Sequence, residues 1–261
     1  MKRSNAWRAL TSSAQLAAML TMTLTCGCGA PPTQPGDEPL ALHDDSLTRQ
    51  SPQVPHNPNP QLFDVDAYPY GISMLEWSEN WLRWEYSIPA ATNPEIVADA
   101  SYDQHQIGPV YFVPLSPNHD DAFTVPREKS LAVMLSQIGN DYPCPDPTFK
   151  PAPGQSLFAF LSDGLTAVND DITVLEVTLD GVAIKDPLSY RYTSPRLFYF
   201  IGDKSLTASF DSCVTGTLQP TVADDIFLVL KPLSRGTHTL TTHIVNTDGN
   251  VFDRTHTITS D

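Results

Sequence analysis

The chain has 261 residues, of which 41% are hydrophobic and 17% charged, with 24 Pro against 13 Gly. That is enough apolar material for a folded core of about 200 residues, and too little charge for a disordered or coiled-coil chain. The net charge is −15, and the first 30 residues carry three basic residues and no acidic one; without them the chain has 12 basic against 30 acidic residues, a net of −18. A surface of that sign repels phosphate backbones and anionic lipid headgroups, which excludes nucleic acid and electrostatic membrane docking as functions.

The N-terminus has the parts of a secretory signal over residues 1–28: a basic start (Lys2, Arg3, Arg8), an apolar run from Leu10 to Leu24, and small residues around Cys26 and Cys28. The run is shorter than a membrane span and is broken by Thr and Gln. The stretch Thr23-Leu24-Thr25-Cys26-Gly27-Cys28-Gly29 resembles a bacterial lipoprotein box, although Thr stands three residues before each cysteine where that box prefers Leu. The resemblance implies lipidation of Cys26 or Cys28, so that the protein meets a membrane only through a lipid anchor; free secretion is the alternative. Residues 29–60 are Pro-rich and poor in β-branched and aromatic residues, the composition of a disordered linker.

A single folded domain is expected over residues 61–261. It opens with a predicted helix, residues 73–88, stopped by Pro89. Ser73 and Glu76 form a capping box. Met74, Trp77, Trp81, Trp84 and Ile88 recur at spacings of 3, 4, 3 and 4, one stripe of the helix, while Glu79 and Arg83 pair on the far side. Two readings compete for Trp77, Trp81 and Trp84. Helical spacing places them where a core face needs them; indole faces also stack on sugar rings, which would make the stripe a glycan platform.

Beyond the helix, short runs rich in β-formers alternate with turn signals. Strands are predicted at 110–113, 131–135, 156–161, 172–179, 197–201, 206–210, 226–230, 237–245 and 251–259, with a two-residue hairpin at Asp180-Gly181. The fold class is mainly β, a β-sandwich of immunoglobulin-like or jelly-roll-like type with one Trp-rich amphipathic helix near its start. In the last hairpin a three-residue loop, Asp248-Gly249-Asn250, sets Leu240 opposite Ile258 and gathers Leu240, Ile244, Phe252 and Ile258 on one face, whereas a two-residue loop scatters them. In that register His238 and His256 stand opposite residues four apart, too far to share a metal. Cys144 and Cys213 remain for the folded part, and a bridge between them would close a loop of roughly 70 residues, worth about 4 kcal/mol.

The motifs together resemble a widespread set of uncharacterised bacterial exported proteins. They are Glu76-Trp77-Ser78, Trp81-Leu82-Arg83-Trp84, Ser87-Ile88-Pro89, Asn93-Pro94, Gln106-Ile107-Gly108-Pro109-Val110, Thr124-Val125-Pro126, Asp180-Gly181, Tyr190-Arg191 and Pro232-Leu233-Ser234-Arg235-Gly236-Thr237-His238. The similarity implies a fold and no established activity. Members commonly carry cysteines where this chain has Tyr102 and Phe123, a pattern that implies a disulfide lost here. The closing strands also look immunoglobulin-like.

The sequence lacks the nucleophile elbow, the zincin helix and the phosphate-binding loop, so no cofactor and no dedicated metal site is expected. Acidic turns remain. Asp120 and Asp121, and Asp170 and Asp171, are candidate calcium ligands without the rhythm of a calcium loop, and Asp224-Asp225 is a third such pair. The expected function is a non-catalytic binding or structural module of the cell envelope, with a glycan or an envelope protein as partner. The alternative is a carboxylate-dependent hydrolase of envelope or extracellular polysaccharide, for which Glu76 or Glu85 with a loop aspartate is the available pair and no catalytic residue is singled out.

Overall fold

The structure is a computed structural model that describes residues 57–115 and 121–261. Cys26, Cys28 and Asp120 lie outside the described residues, as do all of the expected signal, 1–28, and most of the expected linker, 29–60. Asn57–Asp261 forms one compact unit. Among the described residues no helix is long and apolar enough to cross a membrane.

The unit is mainly β, with ten strands in two mixed sheets. These are β1 (Val110–Val113), β2 (Asp121–Val125), β3 (Ser130–Asp141), β4 (Ile172–Leu179), β5 (Val182–Ala183), β6 (Arg191–Thr193), β7 (Phe198–Ile201), β8 (Leu218–Leu230), β9 (Gly236–Asn246) and β10 (Val251–Ser260). One sheet runs β1-β3-β8-β6, with β7 also on β8; the other runs β2-β10-β9-β4-β5. The pairs β1–β3 and β2–β10 are parallel and the rest antiparallel. Leu131, Val133, Leu135, Ile226, Leu228 and Leu230 of the first sheet share one core with Leu175, Leu179, Leu240, Ile244 and Ile258 of the second.

The first sheet is covered on both faces, and its sequence reflects this. Phe227 and Val229 turn away from the shared core into a second one built with helix α1 (Met74–Ser87), so β8 is buried without interruption from Thr221 onward and shows no alternation. β9 has one solvated face and alternates.

Helix α1 forms as expected: the Ser73 hydroxyl accepts from the Glu76 amide at 3.2 Å, and Ile88-Pro89 ends it. Glu79 and Glu85, however, are buried at 2% and 1% exposure, so α1 has almost no solvated side. The segment after the helix folds back over it, where the Asn93 amide donates to the Glu85 carbonyl and the Gln104 carbonyl accepts from the Trp84 indole.

Two predicted strands are helical. Residues 156–161 lie in α2 (Leu157–Ser162), capped by the Ser156 hydroxyl accepting from the Ala159 amide; its core, Leu-Phe-Ala-Phe-Leu, contains no β-branched residue. Residues 206–210 lie in and just beyond a 3-10 turn, Lys204–Ala208, capped by Asp203. A short helix α3 (Ala167–Asp170) precedes β4. In the final hairpin Leu240 stands opposite His256, and Ile258 opposite His238. The loop is therefore Thr247-Asp248-Gly249, one residue earlier than expected; every side chain keeps its face, because the pairing slips by two. The cystine Cys144–Cys213 joins the segment after β3 to the one before β8.

Candidate functional site

Trp77, Trp81 and Trp84 are 5%, 2% and 4% exposed. Each indole N–H donates to a backbone carbonyl, of Pro69 at 3.0 Å, Val113 at 2.7 Å and Gln104 at 2.8 Å. Trp77 and Trp84 both pack on Phe112, with ring centroids at 6.1 and 5.6 Å. With both faces packed and the single polar atom satisfied, the stripe is core and offers no stacking platform.

Among the described residues an open concavity lies elsewhere. A cleft of about 770 Å³ lies between residues 98–103 and β2, and carries Asp99, Ser101, Asp103, Asp121 and Thr124. Parallel pairing places Asp121 beside His256 on β10, and its carboxylate takes the His256 Nδ1 at 2.5 Å. The other oxygen of Asp121 accepts from the Tyr102 hydroxyl. Asp103 accepts from the Tyr111 hydroxyl at 2.9 Å. Burial, with the Asp103 carboxylate beside it, pushes the Tyr111 hydroxyl far above the usual tyrosine range, so Tyr111 is a fixed donor. Phe123 floors the group, 4.9 Å from Tyr102, 6.2 Å from Tyr111 and 6.0 Å from His256. The two positions where the family resemblance implies cysteines, Tyr102 and Phe123, are thus in ring contact.

Asp121 is occupied by a phenol and an imidazole rather than free for calcium. Asp170 is held 2.7 Å from the Arg191 guanidinium, whose hydrogen bond keeps its carboxyl below the usual range. Asp171 serves through its backbone, its carbonyl accepting from the Thr247 amide. A cation already sits at the 170 turn, and it is Arg191.

Asp224 and Asp225 are not turn residues. They lie inside β8 and face opposite ways. Asp224 accepts from Arg191 at 2.7 Å, from Thr193 at 2.5 Å and from the Asn169 amide at 2.8 Å. Asp225 faces α1, where the Ser78 hydroxyl donates to one oxygen at 2.9 Å and the other has no hydrogen-bond partner. Burial raises its pKa well above the ordinary range, Ser78 opposes this, and the Asp224 and Glu79 charges add to the rise. Its surroundings thus favour the protonated carboxyl.

A serine, a histidine and an aspartate also line up where sequence motifs gave no warning. Asp180 lies 2.7 Å from His238 Nδ1, and the Ser234 hydroxyl 3.3 Å from Nε2. But Nε2 is 2.8 Å from the Ser234 carbonyl, which can only accept. The Ser234 carbonyl, closer to Nε2 than the hydroxyl is, needs a proton on that nitrogen, which leaves no lone pair there for the Ser234 hydroxyl, so the geometry is not that of a nucleophilic triad. Partial burial lowers the His238 pKa, and the hydrogen bonds to Asp180 and the Ser234 carbonyl outweigh it, leaving it raised. Asp180 also takes the Thr239 amide at 2.9 Å. The trio clamps the β4–β5 turn to β9.

Comparison of the chain with protein-family models, with curated proteins and with solved structures yields no match.

Proposed function

We propose that the protein is a non-catalytic binding module of the cell envelope, exported, held by a lipid on Cys26 or Cys28, and presenting the Asp99–Asp103–Asp121 cleft to a neutral glycan. One observation carries this reading. The cleft is lined by hydroxyl and carboxylate groups able to bond a polyol, while two of its three carboxylates are committed: Asp121 to Tyr102 and His256, and Asp103 to Tyr111. Fixed acceptors of this kind bind well and shuttle protons poorly. Asp225, a carboxyl with the raised pKa that a glycosidase needs in its acid, is buried under α1 and does not line the cleft.

The strand order supports an immunoglobulin-like scaffold. β3, β8 and β6 stand as strands B, E and D of such a sheet, and β10, β9 and β4 as G, F and C. The parallel run of β1 beside β3 is this chain's departure. The cystine fits an oxidising compartment, and so supports export and the proposed kinship with bacterial exported proteins.

The test is a soluble-glycan screen on the unit from Asn57 onward, followed by Asp99→Lys and Thr124→Arg. A hit lost in both variants supports the cleft. Binding that survives both, or no hit, defeats the reading, and release of shorter sugars would make the protein the carboxylate-dependent hydrolase instead. Fatty-acid labelling lost in the double variant Cys26→Ser, Cys28→Ser tests the anchor; labelling that persists would contradict it.

A further inference from the structure

The cystine sits in unusual company. Cys213 Sγ and one carboxylate oxygen each from Asp141 and Asp211 lie within 4.8 Å of one another. Cys144 Sγ, bonded to Cys213 and 3.6 Å from the Asp141 backbone carbonyl, is a second sulfur beside this group of three, not a member of it. Ligand atoms of a tetrahedral zinc site, at Zn–S of about 2.3 Å and Zn–O of about 2.1 Å, stand roughly 3.4 to 3.8 Å apart. The three measured atoms would have to close by no more than about 1.4 Å to meet that geometry.

Both carboxylates are held by neighbours of the sort that orient metal ligands. Asp141, at the end of β3, accepts from the Gln219 amide, which also donates to the Cys213 carbonyl at 3.1 Å. Asp211 accepts from the Tyr86 hydroxyl at 2.9 Å and from the Cys213 amide at 3.0 Å. Tyr86 belongs to α1 and Gln219 to β8, so both ligands are tied to the rigid part of the unit.

We propose that reduction converts the Cys144–Cys213 cystine into a site for a thiophilic divalent cation of the zinc class, with Cys144, Cys213, Asp141 and Asp211 as ligands. A disulfide sulfur is no thiolate, so the oxidised protein has no such site. A dithiol supplies two electrons and two protons, the S–S bond breaks to two thiols, and the dithiol closes to its own disulfide. Metal binding then releases the thiol protons, and affinity rises with pH through the thiol range.

The experiment titrates the full-length chain with Co(II), oxidised and after reduction by a phosphine, reading the thiolate-to-cobalt charge-transfer band while far-UV circular dichroism follows the fold. The double variant Cys144→Ser, Cys213→Ser keeps Cys26 and Cys28 and subtracts whatever those thiols bind. Expected are a band only in the reduced chain, its removal by Zn(II), its absence in the double variant, and a loss of affinity of about 10- to 100-fold in Asp211→Asn or Asp141→Asn. No band above the double variant overturns the proposal. So does a band indifferent to both Asp variants, or a reduced chain that unfolds and takes no metal.

Discussion

Trp81→Ala should be the most damaging single change in α1. The ring is 2% exposed, contacts Trp84 with centroids at 6.0 Å, and donates to the Val113 carbonyl at 2.7 Å. Truncating a buried Trp costs about 3 to 5 kcal/mol for lost transfer and the cavity left behind. Orphaning a buried carbonyl adds about 1 kcal/mol or more, giving about 4 to 6 kcal/mol, a large part of a typical domain's stability. Trp81→Phe keeps most of the volume and loses the donor, so about 1 to 3 kcal/mol is expected. Urea unfolding followed by far-UV circular dichroism measures both, with Tyr199→Ala, a half-exposed control, expected within about 0.5 kcal/mol. A loss below about 1 kcal/mol for Trp81→Ala would refute the claim that the stripe is core.

Three other outcomes follow from the geometry. Asp225, with a folded pKa raised above its unfolded value, contributes stability that is full below the unfolded pKa and lost as pH rises through the folded pKa; Asp225→Asn should remove that loss from the urea midpoint on the alkaline side, and an unchanged slope would show that Asp225 ionises without penalty. His238 is likewise raised, so its clamp is fully formed below the ordinary histidine pKa of about 6.5 and is lost as pH climbs above it, while Asp180, lowered, withdraws its share as pH falls through its own folded pKa; His238→Gln should remove the alkaline loss, and a retained loss would place it elsewhere. The double variant Tyr102→Cys, Phe123→Cys tests the disulfide that the family resemblance implies at these two positions, whose rings stand 4.9 Å apart: a second disulfide, seen as a two-proton mass loss, is expected, and two free thiols would count against that pairing.

The sequence made some of this legible and hid the rest for physical reasons. Helix α1 was readable because cap, stripe and proline stop agree, and the cystine because an expected anchor at Cys26 or Cys28 leaves two cysteines without other work. The solvated role expected of Glu79 failed because the ion pair to Arg196, which adds to the i,i+4 pair with Arg83 already legible in the sequence, is a tertiary fact with no local signature. Asp224-Asp225 looked like a turn because two adjacent aspartates usually are one; only the arrival of Arg191 on one face and Ser78 on the other makes them tolerable inside a strand. β2 escaped notice because five residues paired in parallel to the last strand of the chain give no hairpin signal. The cleft was invisible for the same reason, because one of its walls is β2, whose place is set only by pairing with β10.

The most direct test of the account is a two-dimensional NMR titration of the isotope-labelled unit from Asn57 onward with the glycan that a screen selects. The account predicts that the amides of 98–103 and 121–124 move while the indole resonances of Trp77, Trp81 and Trp84 stay in place. Indole resonances that move first, with the cleft amides silent, would return the binding surface to the helix and contradict it.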